Sequence, residues 1–355
     1  KATDAISGNR TTSPIFIHVF NPIRLFINGF VDVIRGWIST PVNGASAPII
    51  GWAGVVAIMA FAAYTTSRIR IAILVVSLLI VCGALGMWID TMDTLAMTIA
   101  AVLLSLVIGI PIGIWAGLSD RVLKLVTPIL DLAQILPTLV YMAPLALFFM
   151  IGEATATIAT MVYSIPISIR ITSHAIRSLN FSPVEASISM GATDKQTLRK
   201  VQLPMAKQMI VLGINQTVMA ALSFVVIAAL IAAPGLGKPI VSALTIQNTG
   251  RGLVAGIAVV AMAIMLDRAT SAAAVKQKTF IPPTPKQLAI RRRNITISGV
   301  VALLITFASH SIEKLQNFPV NPNIALKVET VTNNLVNYLV NDLSFLTVGF
   351  KDFIS

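Results

Sequence analysis

The chain has 355 residues, 56% of them hydrophobic and only 11% charged, with a mean hydropathy of +0.85 and a formal net charge of +12. A soluble domain carries about a quarter charged residues, so this composition excludes an ordinary globular domain and indicates an all-α, polytopic helical membrane protein. The basic surplus then belongs in cytoplasmic loops rather than on nucleic acid, and the single cysteine, Cys82, excludes an intramolecular disulfide.

In chain order, residues 1–46 form an amphipathic N-terminal segment expected on the outer side. Phe16, Phe20, Leu25, Phe26, Phe30, Val31, Ile34 and Trp37 recur at helical spacing, with Arg24, Asp32 and Arg35 between them. Such a helix either lies on the membrane surface or packs on a bundle. About 20 apolar residues cross a bilayer. Candidate spans on that basis are 47–66 and 69–89, peripheral helices of a 47–91 region, then 92–118, 127–151, 154–175, 206–233 and 252–267 within a 92–275 core, and 294–310. This makes about 7–8 spans. Arg68 and Arg70, Arg121 and Lys124, Arg177 to Lys200, and Lys276 to Arg293 follow alternate spans, and the opposite loops are poor in Lys and Arg. The positive-inside rule therefore puts both termini outside and residues 182–204 in the cytoplasm. Residues 276–293, with Pro282, Pro283, Pro285 and Arg291 to Arg293, read as a basic, helix-breaking linker that anchors topology or meets anionic headgroups. Residues 311–355 read as an external amphipathic tail. Their loose likeness to the N-terminal segment leaves open that they begin a second copy of the same unit.

The polar island at 182–204 is the most distinctive stretch. Ser182-Pro183-Val184-Glu185 has the pattern of a capping box, with Ser182 as N-cap and Pro183 at the first helical position. Gly191 can take positive φ and end this helix. Thr193 or Asp194 can cap a second helix over 195–202, which Leu203-Pro204 closes before the next span. Two short helices meeting at a glycine, with Ala186, Ser187 and Ala192 near the bend, allow another protein to approach closely.

Glu185-Ala186-Ser187, three residues, Gly191, nine residues, Val201, one residue and Leu203-Pro204 resemble the EAA motif of binding-protein-dependent ABC importer permeases, with Ser187 in place of the second Ala and Val201 in place of Ile. The resemblance covers roughly residues 15–275. Gln134 to Tyr141, Gly213 to Thr217, Pro234 to Gly237 and Leu266 to Thr270 are similar to segments of the glycine betaine/proline-type osmoprotectant branch. The resemblance implies a type I ABC importer permease core in the bacterial inner membrane. It also implies that Glu185, Ala186, Ser187, Gly191, Ala192, Leu203 and Pro204 couple the chain to an ATPase subunit dimer. The expected partners are that dimer, a separate or fused substrate-binding protein, a second permease copy or tandem unit, and the lipid membrane. ATP and Mg would be bound by the ATPase, leaving this chain with no cofactor and no enzymatic site of its own. The part from about 294 onward departs from the family pattern.

Polar groups inside spans are costly and so are candidates for a translocation path. Gln134, Pro137 and Tyr141 in the fourth candidate span, and Asn215, Gln216, Thr217 and Ser223 in the sixth, form that set. The competing reading is interhelical hydrogen bonding. Tyr141, Tyr163, Phe148, Phe149 and Phe224 offer π faces to a quaternary ammonium. Gly235-Leu236-Gly237-Lys238-Pro239 lacks the spacing and the Ser/Thr of a phosphate loop, and His18, His174 and His310 are too scattered for a metal site. A self-contained secondary transporter or channel remains the alternative, but it calls for coupling acids within spans, which are almost absent.

Overall fold

The structure is a computed structural model that describes residues 13–41, 48–66, 69–231, 233–275, 285–319 and 322–341. Among these residues the only regular secondary structure is helical. A π-helical turn, Phe16–Phe20, leads into α1, Asn21–Ile38. Then come α2 (Trp52–Thr66), α3 (Ile69–Ala84), α4 (Trp88–Leu118), α5 (Asp120–Ile135), α6 (Thr138–Phe149) and α7 (Glu153–Arg177). Two short helices, α8 (Phe181–Ser189) and α9 (Asp194–Thr197), precede α10 (Leu203–Ser223). The chain continues through α11 (Val225–Ala228), α12 (Gly237–Thr245), α13 (Thr249–Val275), α14 (Pro285–Ser311), α15 (Glu313–Gln316) and α16 (Pro322–Asn341).

Five helical stretches are long and apolar enough to cross a membrane, Phe16–Ile38, Trp88–Leu118, Glu153–Arg177, Thr249–Ser271 and Ala289–Ser311, or six if a bent pair counts as one span. That pair corrects the candidate span at 127–151. α5 and α6 meet at 99° across Leu136 and Pro137, because Leu136 is extended (φ −64°, ψ 127°) ahead of a proline that cannot donate to the preceding turn. The candidate span at 206–233 is also interrupted. α10 stops at Ser223, and Phe224 turns the chain into α11 and a 3₁₀ turn. Lys207, Gln208 and Asn215 to Thr217 keep α10 out of the most apolar group. α2 and α3 are shorter apolar helices.

The centre of the bundle is the α4–α7 pair. Gly109, Gly113 and Gly117 recur every four residues on α4, facing Ser168, Thr172 and Ile176 of α7. An added Cβ at these glycines would lie 2.6, 2.6 and 2.8 Å from those side chains. Small residues at this spacing let transmembrane backbones approach closely. The Ser105 and Ser164 hydroxyls, 2.8 Å apart, extend the seam. At its far end Arg177 donates to the Ala116 carbonyl, at 3.2 and 3.1 Å, and to Asp120, at 2.6 Å, tying the end of α4 to the start of α5. Arg170 pairs with Asp131 of α5.

The N-terminal helix takes the bundle-packed alternative instead of lying free on the surface. Ile27 and Val31 are buried against α4 and α7 neighbours, while Leu25, Phe26, Val33 and Trp37 stay exposed. Arg35 bonds Asp93 of α4 through Nε (2.9 Å) and Nη2 (3.4 Å), and also reaches Glu153 of α7; Ser39 donates to the same Asp93. Phe148 and Phe149 are committed to packing on this segment, with Phe20 at 4.8 and 5.4 Å.

The C-terminal part is packed on the bundle as well. α14 begins at Pro285 and carries Arg291 to Arg293 within a helix, correcting the expectation of helix-breaking linker there; residues 276–284 lie outside the described residues. α14 lies antiparallel to α2, with Gly54 against Thr306 and Ser309, and Gly299 against Phe61. Phe318 stacks 5.0 Å from Trp88 and meets Trp52 edge-on at 5.0 Å. α16 docks on α13. Asn248 donates to Glu329 (2.6 Å), and Asn333 accepts from the Gly250 N–H (2.8 Å). The tail beyond 341 lies outside the described residues.

Candidate functional site

The island at 182–204 folds as two short helices joined at Gly191, as the sequence suggests, but its first cap differs. Asn180, not Ser182, is the N-cap of α8, its side chain accepting from the Ser182 N–H at 3.1 Å. Pro183 is therefore the third helical residue and Glu185 lies beyond capping reach, so no capping box forms there. Glu185 is exposed, and among the described residues no side chain pairs with it.

Gly191 has φ +80°. Its N–H donates to the Ile188 carbonyl (2.8 Å) and the Ala192 N–H donates to Ser187 (3.1 Å), the paired bonds of a Schellman ending. Thr193 then caps α9 in a true capping box with Gln196. Ser187 braces the two helices. Its hydroxyl lies 3.0 Å from that of Thr197, which is buried, and also donates to the Val184 carbonyl at 2.9 Å. A second alanine at position 187 could form neither bond.

Leu203-Pro204 does not close the second helix. α9 runs through a π-helical turn, Leu198–Gln202, directly into α10, with Gln202 and Leu203 both helical. A proline inside a helix loses a donor and crowds the carbonyl four residues back, and a π-helical turn directly precedes Pro204. Ala206 is buried with Ala175 and Ile176 of α7, and Leu203 packs beside them. The inner side of the element is thus anchored to the bundle. Its outer side is bare, with Phe181 67%, Ile188 54% and Met190 88% exposed beside exposed Ala186. Apolar side chains rimmed by Glu185, Asp194, Lys195 and Arg199 are what a protein interface requires.

The candidate path residues divide. Asn215 is buried and bonded to α13. It donates to Ser271 at 2.9 Å and accepts from Thr270, and Ser271 in turn donates to Asp267 at 2.9 Å. Thr217, fully buried, donates to the Gly213 carbonyl at 2.8 Å. Asn215 thus ties α10 to α13, whereas Thr217 satisfies its hydroxyl within its own helix. Gln216 and Ser223 are exposed and, seven residues apart, share one face of α10. Gln134 and Pro137 are exposed at the α5–α6 bend, and Tyr141 is half-buried with its hydroxyl buried and unpartnered. The Tyr163 and Phe224 rings lie 6.0 Å apart. No hydrogen bond joins Gln134 or Tyr141 to Gln216 or Ser223 among the described residues. The Gly235–Leu236 turn packs on α4, Leu236 donating to Thr94 at 2.8 Å.

Asn215→Leu should lower thermal stability in detergent by about 1–3 kcal/mol, the cost of leaving buried polar partners unsatisfied. Gln216→Leu, on the exposed face, should change it by less than about 0.5 kcal/mol. Equal losses would contradict the division between structural and exposed positions.

Residues 109–274 match the family model described as binding-protein-dependent transport system inner membrane component. The chain is 41% identical over 261 residues to the glycine betaine transport system permease protein OpuAB of Bacillus subtilis, covering 72% of this chain and 92% of that protein. It is 37% identical over 270 residues to the glycine betaine/proline betaine transport system permease protein ProW of Escherichia coli, covering 74% and 76%. To the glycine betaine/carnitine transport permease protein GbuB of Listeria monocytogenes it is 43% identical over 205 residues, covering 58% and 72%. A chain of the methionine ABC transporter MetNI in an inward-facing conformation superposes with a TM-score of 0.51 at 22% identity, covering 54% of this chain and 95% of the other, and shares its fold.

Proposed function

The chain belongs to the family of binding-protein-dependent transport system inner membrane components, and from that membership we propose that it is the permease subunit of an ATP-driven importer for glycine betaine or a related compact osmolyte such as proline, a choline-like amine or a sulfonium compound. It sits in the bacterial inner membrane as a multi-pass protein. On this reading both termini lie outside, and the island at 182–204 faces the cytoplasm. The chain binds no nucleotide or metal itself. An ATPase dimer grips the island and supplies ATP and Mg, a binding protein delivers substrate, and a second permease copy completes the path along the exposed Gln216 and Ser223 face of α10.

The observation that carries the reading is the construction of the island: braced inside by Ser187 and Thr197, continuous with α10, and bare outside around Glu185 and Met190. Rocking of rigid bodies about a central path is the physics of alternating access, and a stiff element joined to a spanning helix can drive it.

The test is uptake of labelled glycine betaine by liposomes holding the chain with and without its ATPase and binding protein. Uptake is expected only with both partners and ATP, and the purified chain alone should hydrolyse no ATP. Glu185→Lys, which reverses charge on the exposed face, should lower uptake at least ten-fold with insertion unchanged. Uptake by the chain alone on an ion gradient would overturn the proposal.

A further inference from the structure

Between α2, α3 and α14 lies an apolar groove of about 410 Å³, walled by Ala60, Phe61 and Tyr64 of α2, Ile69 of α3, and Ile297 and Val301 of α14. The volume falls within the range of small-ligand sites. Its α14 wall belongs to the part of the chain that departs from the family pattern, and nothing in the coupling island or the candidate path uses the groove.

Its long axis follows α14. The lining runs from Asn294 to Ile305, about 16 Å at 1.5 Å per residue. One leaflet of a bilayer's hydrocarbon core is about 15 Å deep. The groove therefore has the length of a single leaflet, and its walls are mostly apolar, with Asn294 at the basic end.

One end of the groove is strongly basic. Because α2 and α14 are antiparallel, with Gly54 beside Ser309 and Gly299 beside Phe61, the Tyr64 and Ile69 end is also the Asn294 end. Arg70 follows Ile69 and is exposed. Arg291 lies three positions before Asn294 and Arg293 four before Ile297, so both stand above the groove face of α14. Arg70, Arg291 and Arg293 pair with no acidic side chain among the described residues. Basic pockets between transmembrane helices near a membrane face hold anionic headgroups. An apolar slot of leaflet depth under unpaired arginines has the two-part chemistry of one kind of molecule.

We propose that this groove binds an anionic phospholipid, with one acyl chain between α2 and α14 and the headgroup phosphate held by Arg70, Arg291 and Arg293. The lipid would seat α14, which is otherwise largely exposed, against α2. The inference is independent of the transport reading, since it rests on the groove and its charges alone.

The experiment is native mass spectrometry of the purified full chain offered equal phosphatidylglycerol and phosphatidylcholine of matched chains. Wild type should retain phosphatidylglycerol at least five-fold over phosphatidylcholine. The double substitution Arg291→Gln with Arg293→Gln should bring that ratio near one, and Ala60→Phe, which fills the groove, should lower retention of both lipids. Ala57→Leu is the milder filling variant if Ala60→Phe does not insert. Equal retention of the two lipids by wild type would overturn the proposal. So would undiminished phosphatidylglycerol binding in the groove-filled variant, which would assign the arginines to surface attraction only.

Discussion

Replacing Gly191 by valine is expected to reduce ATP-coupled uptake ten-fold or more while leaving the chain inserted. The reason is backbone conformation, not space. Nothing lies within 4 Å of where a Cβ at this position would sit, but φ is +80°. A left-handed residue other than glycine costs roughly 1–2 kcal/mol, and a β-branched side chain is the worst case. The chain can avoid that cost only by giving up the Ala192-to-Ser187 and Gly191-to-Ile188 bonds, which set the angle between α8 and α9. Asparagine tolerates the left-handed region, so Gly191→Asn should keep most of the uptake. Liposome uptake in parallel with ATPase binding measures both variants. Similar behaviour of valine and asparagine would show that the turn conformation is not what matters.

Replacing Arg35 by alanine should destabilise the chain by about 3–5 kcal/mol, the cost of breaking a buried ion pair from one side. Asp93 and Glu153 have side-chain exposures of only 7% and 19%, and both face the same guanidinium. Without it, two carboxylates and Ser39 share a low-dielectric site with no cation among them. The joint between α1, α4 and α7 should open, so the N-terminal helix should become sensitive to protease before the rest unfolds. The triple variant Arg35→Met, Asp93→Asn and Glu153→Gln removes the charges together and should recover much of the loss. A single variant as stable as wild type in thermal unfolding would show that the network carries little of the joint.

Much of this structure is legible in residue pattern. Long apolar runs locate α4, α7 and α13, because a bilayer demands that length, and shorter ones locate α2 and α3. The Gly191 and Thr193 endings of α8 and α9 follow from local backbone chemistry and occur as expected. What the pattern conceals depends on partners distant in sequence. Asn180 takes the cap that Ser182-Pro183 advertises, since the choice depends on how α7 ends. Asp93 and Glu153 look like ordinary loop charges and Arg35 like a polar face residue until the fold brings them together from positions 58 and 118 residues apart. The bonds of Asn215 to Ser271 and Thr270 likewise appear only once the fold brings α13 beside α10. One missed feature did have a local signal. Gly109, Gly113 and Gly117 at four-residue intervals mark the α4 face that meets α7. Proline identity alone left the outcome open: Pro137 splits a span by 99°, whereas Pro111 and Pro166 sit inside unbroken helices.

The unbroken helical path from Asp194 through the π turn to Ser223 has a mechanical consequence. It is one rod of roughly 30 residues, about 45 Å long. A tilt of about 5° about Ala206 would sweep the Ser223 end, about 26 Å away, through about 2 Å. The pivot would fall where Ala206 is pressed against Ala175 and Ile176, about 18 Å from the driven end. The short arm thus lies with the partner and the long arm with the path. On the proposed coupling, such a lever passes a movement at the island to the Ser223 end enlarged by about 1.4-fold.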